Sequence, residues 1–350
     1  MNRSHKEEKL AKLYDQDILP VWSRPFGRLL LRDLALPPKA MVLDVACGTG
    51  YPALELLRKM DADGRIIAID ASSSMLDEAR VKAGRLSGKR IFFRSETATP
   101  KLTFADDVYD LVVCNAALHE LDDPETAIKE FARVTKAGGR VAVSTPLAGT
   151  FTEFHDLFSE VLSKLDRHDA LERLEAHIAA APPLEQVEAW FEDAGLVDIK
   201  SEYDTFTLLF KSSREFFFAP VIEYGPLAEW KEIAGGGQEM QDVFWYIKEA
   251  IDAYFDGRPF HVTVSAGCLI GTKGAPRTTA PRPVESAFDE EGDTDLPMRP
   301  RLIAAGTEQI EEADDLDVIE DDGSIDIDIE AEQELDAFIE GRKRPNHLDD

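Results

Sequence analysis

The chain has 350 residues, 44% of them hydrophobic, and a formal net charge of −29. That is chain enough for one large domain or two ordinary ones, and the acidity excludes general electrostatic attachment to nucleic acid. The charge is uneven, since residues 276–350 hold 24 acids against seven Lys or Arg and so carry −17 of the total.

Residues 5–18 place Leu10, Leu13, Tyr14 and Ile18 on one helical face, and Pro20 closes the run. A second short helix covers 26–34 and stops before Pro37-Pro38. Residues 1–40 are read as an N-terminal helical cap. From residue 41 the pattern alternates. Strand 42–46 leads into the turn Gly48-Thr49-Gly50 and helix 52–60. Strand 65–69 ends in Asp70 and precedes helix 74–83. Strands 90–94, 109–115 and 140–144 follow, with a helix around 124–135 before the last of these. This rhythm predicts an α/β fold, with a mostly parallel sheet covered by helices on both faces and ligands at one sheet edge.

Past Ser144 the rhythm changes. Residues 150–178 and 184–194 read as helices, 197–210 as a β run, 211–257 as a helical segment rich in aromatics, and 260–272 as a final strand. The two late β runs are expected to pair as an antiparallel edge, which makes a Rossmann-like sheet of seven strands with an antiparallel last strand. The catalytic domain is placed at 41–274, with helical inserts at 148–183 and 211–259 on the substrate side. From residue 275 onward, prolines at 276, 281, 283, 297 and 300 among acidic runs predict a disordered tail. Within it, 330–342 is a candidate short helix with Leu335, Phe338 and Ile339 on one side, and a candidate docking segment for a protein partner.

Three cysteines, Cys47, Cys114 and Cys268, show neither pairing nor metal-ligand spacing, which predicts free thiols, a reducing cytoplasm and no metal. The first twenty residues lack the apolar run of a signal peptide. No stretch nears the ~18 apolar residues of a membrane span.

The chemistry concentrates at residues 41–70. A strand, a glycine turn and a helix with Pro52 in its first turn make a ligand grip built from backbone N–H groups. Gly48-x-Gly50-x-x-Ala53 also fits the loose dinucleotide fingerprint, so a nicotinamide oxidoreductase stands as an alternative. Asp44, inside the first strand, favours a cationic ligand and would repel a diphosphate. Asp70, 20 residues past Gly50, is placed to accept from ribose hydroxyls.

In order and spacing, four strings resemble the class I S-adenosylmethionine-dependent methyltransferases of the type 11 group. They are Val42 to Gly50, Ile69-Asp70-Ala71-Ser72 with Met75-Leu76, Tyr109 to Leu121, and Lys136-Ala137-Gly138-Gly139-Arg140. The resemblance implies S-adenosyl-L-methionine as cofactor. Asp44, Ala46, Gly48, Thr49 and Gly50 would hold its methionine end, and Asp70 its ribose. Ala71 and Met75 would pack near the adenine, and Asn115 would line the transfer site. The adenine amino group usually meets an acid or amide after the third strand. Here Thr97-Ala98 replaces the usual Asp-Ala pair, and Glu96 is the nearest acid.

Methyl transfer needs alignment, and a base wherever the acceptor must lose a proton. His119, just past the fourth strand, and His155, after the fifth, are the candidate bases. Arg214 and Tyr224 in the aromatic insert are candidate substrate contacts. In layout the second half is similar to the malonyl-carrier-protein methyltransferase of biotin synthesis, which implies a carboxyl methyl ester as product. The expected function is methyl transfer to a small molecule or a carrier-bound acyl acid. The alternative is a cofactor-binding module without catalysis that docks a partner through its acidic tail.

Overall fold

In the computed structural model, Val42, Leu43 and Val45 of the first strand are fully buried, and so are Leu111 to Val113 of the fourth. A strand apolar at consecutive positions must be covered on both faces. The structure describes residues 5–274, apart from 33 and 256; the tail expected from 275 onward lies outside the described residues. The strands are β1 (Met41–Val45), β2 (Arg65–Asp70), β3 (Ile91–Ser95), β4 (Tyr109–Asn115), β5 (Thr135–Pro146), β6 (Leu196–Phe210) and β7 (Phe260–Lys273). They form one sheet in the order β3-β2-β1-β4-β5-β7-β6. β1 to β5 pair in parallel, and β7 runs antiparallel to both β5 and β6. The expected sheet and its antiparallel last strand are therefore present.

Alternation along the strands divides the core into two. Val42, Ile66, Ala68, Leu111, Val113 and Ala142 face one apolar cluster. There they meet Phe26, Leu29 and Leu30 of α2 (Ser23–Arg32), Leu56 and Leu57 of α3 (Ala53–Lys59), and Phe154 and Phe158 of α6 (Thr152–Lys164). Leu43, Val45, Ile69, Val112, Cys114, Val141 and Val143 face the other. That side is closed by Ile128 and Phe131 of α5 (Pro124–Val134) and by Val187 and Phe191 of α8 (Leu184–Asp193). At about 25 cal/mol per Å² of apolar surface, these two layers are the main stabilising element of the fold.

The remaining helices sit at the C-terminal edge or on one side of it. α1 (His5–Leu13) runs into a π-helical turn, Tyr14–Ile18, and α4 (Ser73–Ala83) follows β2. α7 (His168–Ala180) follows α6. α9 (Ser213–Phe217), α10 (Pro220–Glu223), α11 (Leu227–Ala234) and α12 (Gly237–Phe255) fill the stretch between β6 and β7. The aromatics of that stretch are mostly core: Phe216, Phe217, Trp230 and Phe244 are buried, and Trp230 stacks on Phe154 with ring centroids 4.0 Å apart. No described helix is long and apolar enough to cross a membrane. The strand order reverses between β1 and β4, so connections leave to opposite sides and open a crevice at their C-terminal ends.

Candidate active site

The crevice begins where β1 ends. Asp44 is fully buried. One oxygen, Oδ2, accepts the Ala53 N–H at the start of α3 at 3.1 Å, and the other, Oδ1, has no partner. Burial, reinforced by the charge of Asp70, pushes this carboxyl up to about 8. The chain then turns through left-handed backbone at Ala46 (φ 54°), Gly48 (φ 51°) and Gly50 (φ 96°). A Cβ on Gly50 would stand 3.2 Å from both Ala79 Cβ and Leu54 Cδ1, on backbone that an L side chain rarely adopts, so the position favours glycine.

Asp70, at the end of β2, closes the cradle. Its Oδ2 accepts the Gly48 N–H at 2.7 Å, and Oδ1 accepts the Ser72 N–H at 2.8 Å. Ser72 in turn caps α4, its Oγ accepting the Met75 N–H at 3.3 Å. An unpartnered buried carboxylate oxygen, a backbone cradle and a second acid 22 positions from Gly48 fit a small cationic ligand that carries hydroxyls. Ala71 is exposed at the rim and Met75 half-buried behind it.

The N-terminal helices reach over this cradle. The Tyr14 ring lies 3.6 Å from where a Gly48 Cβ would stand, and its hydroxyl shares a 2.6 Å hydrogen bond with Ser23 Oγ. Burial pushes the Tyr14 phenol up to about 12, so it stays a neutral donor. Thr49 Oγ1 donates to Asp15 at 2.5 Å, and Lys82 pairs with the same carboxylate. Asn115 is engaged at both ends: its Nδ2 donates to the Ser23 carbonyl at 3.1 Å, and its Oδ1 accepts from Ser144 Oγ at 2.9 Å. It thus ties β4 and β5 to α2.

After β3, Glu96 accepts the Thr103 N–H at 2.7 Å and the Thr103 hydroxyl at 3.0 Å, and pairs with Arg94 Nε at 3.0 Å. Thr97 is exposed and its hydroxyl donates to the Thr99 carbonyl at 3.1 Å, while Ala98 is buried. Glu96 therefore holds its own loop together.

Beside the cradle, over the ends of β4 and β5, lies a cavity of about 800 Å³. Trp22, Phe151, Trp190, Ile178, Val221 and Leu147 make much of its wall. Phe151 carries left-handed backbone (φ 62°) at the start of α6 and stacks on Trp22 at 6.0 Å. Such a conformation in a bulky residue is strained and is held by its surroundings. Here the Phe151 N–H donates to the Thr263 carbonyl of β7 at 2.8 Å.

His119, His155 and Tyr224 line this cavity. Arg214 does not: it is exposed on α9, its guanidinium 5.8 Å from the Phe218 ring. Burial pushes His119 down to about 4, with Nε2 3.8 Å from Glu120 Oε1. His155 is also pushed down to about 4, first by burial and then by His177. Its Nε2 is sealed from solvent with no hydrogen-bond partner. Glu120 is pushed upward by enclosure and then by Asp70, although 68% of its side-chain surface still opens on the cavity and tempers that shift. The wall also holds Tyr14, Glu120, Asp156, His177 and Glu229, none of which the sequence reading selected. No Lys or Arg is found among the described residues that line it.

A methyltransferase-domain family model matches residues 43–143. A demethylmenaquinone methyltransferase of Renibacterium salmoninarum is 30% identical over 204 residues, which cover 55% of this chain and 82% of the relative. The Staphylococcus aureus protein of the same name is 25% identical over 208 residues, covering 57% and 83%. Among solved structures, the YcgJ protein of Bacillus subtilis matches 72% of this chain and 100% of its own at 19% identity, with a TM-score of 0.48.

Proposed function

Since this chain belongs to the class I S-adenosylmethionine-dependent methyltransferases, we propose that it moves a methyl group onto a neutral, ring-bearing small molecule held in the 800 Å³ cavity. The observation that carries this reading is the charge of the cavity wall. Glu120, Asp156 and Glu229 line it, aromatic and aliphatic side chains fill the rest, and no Lys or Arg is among the described lining residues. A carboxylate acceptor, such as a carrier-bound acyl acid, would enter with three acids and no cation to meet it. Arg214, the residue that would clamp such a group, stands outside the cavity. The relatives' name, demethylmenaquinone methyltransferase, also supports a ring-bearing acceptor.

The cofactor supplies an activated methyl group on a sulfonium. In this proposal Asp44, Ala46, Gly48, Thr49 and Gly50 receive its methionine end, and Asp70 its ribose hydroxyls. Ala71, Met75 and the loop of Thr97 and Ala98 border the adenine. Glu96 supports that loop, and Asn115 fixes the edge beside the methyl group. The helices before β1 cover the cofactor, and the helices after β5 and β6 wall the acceptor. Alignment in a dry site is the protein's main contribution to such a displacement. The three buried cysteines form no disulfide, which supports a reducing, cytoplasmic setting.

The test is competition. The purified chain is incubated with methyl-labelled S-adenosylmethionine and equal amounts of 2-naphthol, 1,4-dihydroxynaphthalene, 2-naphthoic acid and malonyl-thioester. The methylated products are then separated. Label on the hydroxylated rings, at least about tenfold above either acid, is expected. Preferential formation of a carboxyl methyl ester would overturn the reading.

A further inference from the structure

His155, His177 and Glu229 stand in a row along one wall of the acceptor cavity. His177 Nδ1 lies 3.5 Å from Glu229 Oε2, across from α7 to α11. The rings of His155 and His177 meet at right angles (85°), with centroids 5.9 Å apart, and His155 meets Trp230 at 90° and the same distance. All three residues of the row line the cavity. The His155 side chain is nine-tenths buried, and its Nε2 finds no partner. The His177 side chain keeps 30% of its surface open.

We propose that His177 is the base that takes the acceptor's hydroxyl proton, with Glu229 as its positioning residue and His155 as a neutral neighbour that limits where the imidazolium can sit. The proposal rests on the neutral, ring-bearing reading of the acceptor and narrows it to a ring that carries a hydroxyl. Glu229 Oε2, 3.5 Å from Nδ1, favours the tautomer with its proton on Nδ1, and so leaves the lone pair on Nε2 for the acceptor. An imidazolium formed there gains a counter-ion at Glu229, which neither other cavity histidine has at that distance: His119 stands 3.8 Å from Glu120, and His155 has no carboxylate partner. Burial also leaves His119 and His155 weak proton acceptors, both being pushed down to about 4. General-base efficiency falls as a base's pKa drops below the working pH.

The step balances. The acceptor O–H bond breaks and its proton forms an N–H bond at His177 Nε2. The oxygen uses its lone pair to bond the methyl carbon, whose old bond to sulfur breaks with the electron pair remaining on sulfur. The other ionisable groups that line this cavity are Asp156 from α6, Tyr224 beyond α10, and Tyr14, His119 and Glu120 from the segments before β1 and after β4.

The test uses the full chain and two readouts. The first needs neither cofactor nor turnover: 4-nitrophenol is titrated into wild-type protein and into the His177→Gln variant at pH 6, and the phenolate absorbance of the bound probe is recorded. Wild type should hold at least about ten times more phenolate than the variant. The second is turnover of 2-naphthol with S-adenosylmethionine. His177→Gln should lower kcat by ~10²–10⁴-fold with KM and cofactor affinity held. Glu229→Gln should lower kcat about tenfold with KM held, whereas Glu229→Asp should recover most of the rate. Equal phenolate and equal kcat in wild type and His177→Gln overturn the base assignment alone. Wild type that methylates only acids overturns the parent reading instead, and takes the base assignment with it. A Glu229→Gln variant with the wild-type kcat, or a Glu229→Asp variant that recovers nothing, overturns the positioning role. Circular dichroism and melting temperature check that the variants fold, and His168→Gln, at an exposed position of α7 outside the cavity lining, serves as the control with kcat unchanged.

Discussion

The sharpest test of the cradle at the end of β1 is the proton on Asp44. This carboxyl is pushed from 3.8 up to about 8 by complete burial and by Asp70. The folded protein therefore holds a proton there that the unfolded chain releases above about pH 4. The sign follows: folding takes up a proton between the two values, so this group's contribution to stability is greatest below pH 4 and is lost as pH rises toward 8. Each pH unit in that window removes up to about 1.4 kcal/mol, so stability falls by up to about 4 kcal/mol between pH 5 and pH 8. Asp44→Asn keeps an oxygen to accept the Ala53 N–H and cannot titrate. Urea denaturation of both proteins without cofactor, at pH 5, 6.5 and 8, measures the difference. The variant should gain on the wild type by at least about 2 kcal/mol across that range. A difference that stays constant with pH would show that Asp44 ionises normally in the fold, and the argument from desolvation would be refuted.

Three further predictions concern the same framework. Gly50→Ala puts a Cβ 3.2 Å from Ala79 and Leu54 on left-handed backbone, and should cost about 1–3 kcal/mol in denaturation together with most retention of labelled cofactor on a filter. Phe154→Ala empties a fully buried position stacked on Trp230 and should destabilise by about 3–5 kcal/mol, read as a lower urea midpoint at unchanged slope. Asp70→Asn keeps its bond to one backbone N–H but removes the charge, and should weaken cofactor binding about 10–100-fold by equilibrium dialysis with little change in melting temperature.

Much of this was legible in the chain because strands buried on both faces must be apolar throughout, and the turns between them need glycine, proline and caps. Asp44 and Asp70 stood out because an acid is unexpected at each place. The acceptor side was less legible. His177 and Glu229 are 52 positions apart, and no period of helix or strand links them; they meet only because α7 packs on α11. Arg214 was misleading for a simple reason. α9 is five residues long with Phe216 buried, and a residue two positions before Phe216 falls on the side opposite to it, where Arg214 is exposed. Asn115 and Glu96 were read for what they offer a ligand. Their own partners, Ser23 and Ser144 for one, Arg94 and Thr103 for the other, come from distant or turning segments that spacing does not disclose.

The ties between the N-terminal helices and the cradle set a clock as well as a shape. Asp15 to Thr49, Asp15 to Lys82 and Ser23 to Asn115 are three modest links from one ten-residue span, which the Tyr14–Ser23 bond closes on itself. Held singly they would exchange quickly, but a span anchored at both ends yields only when several let go together. In the proposed reading the cofactor lies beneath that span, so the rate at which the span lifts bounds the rate at which spent cofactor leaves, and tightening the links would lower that bound.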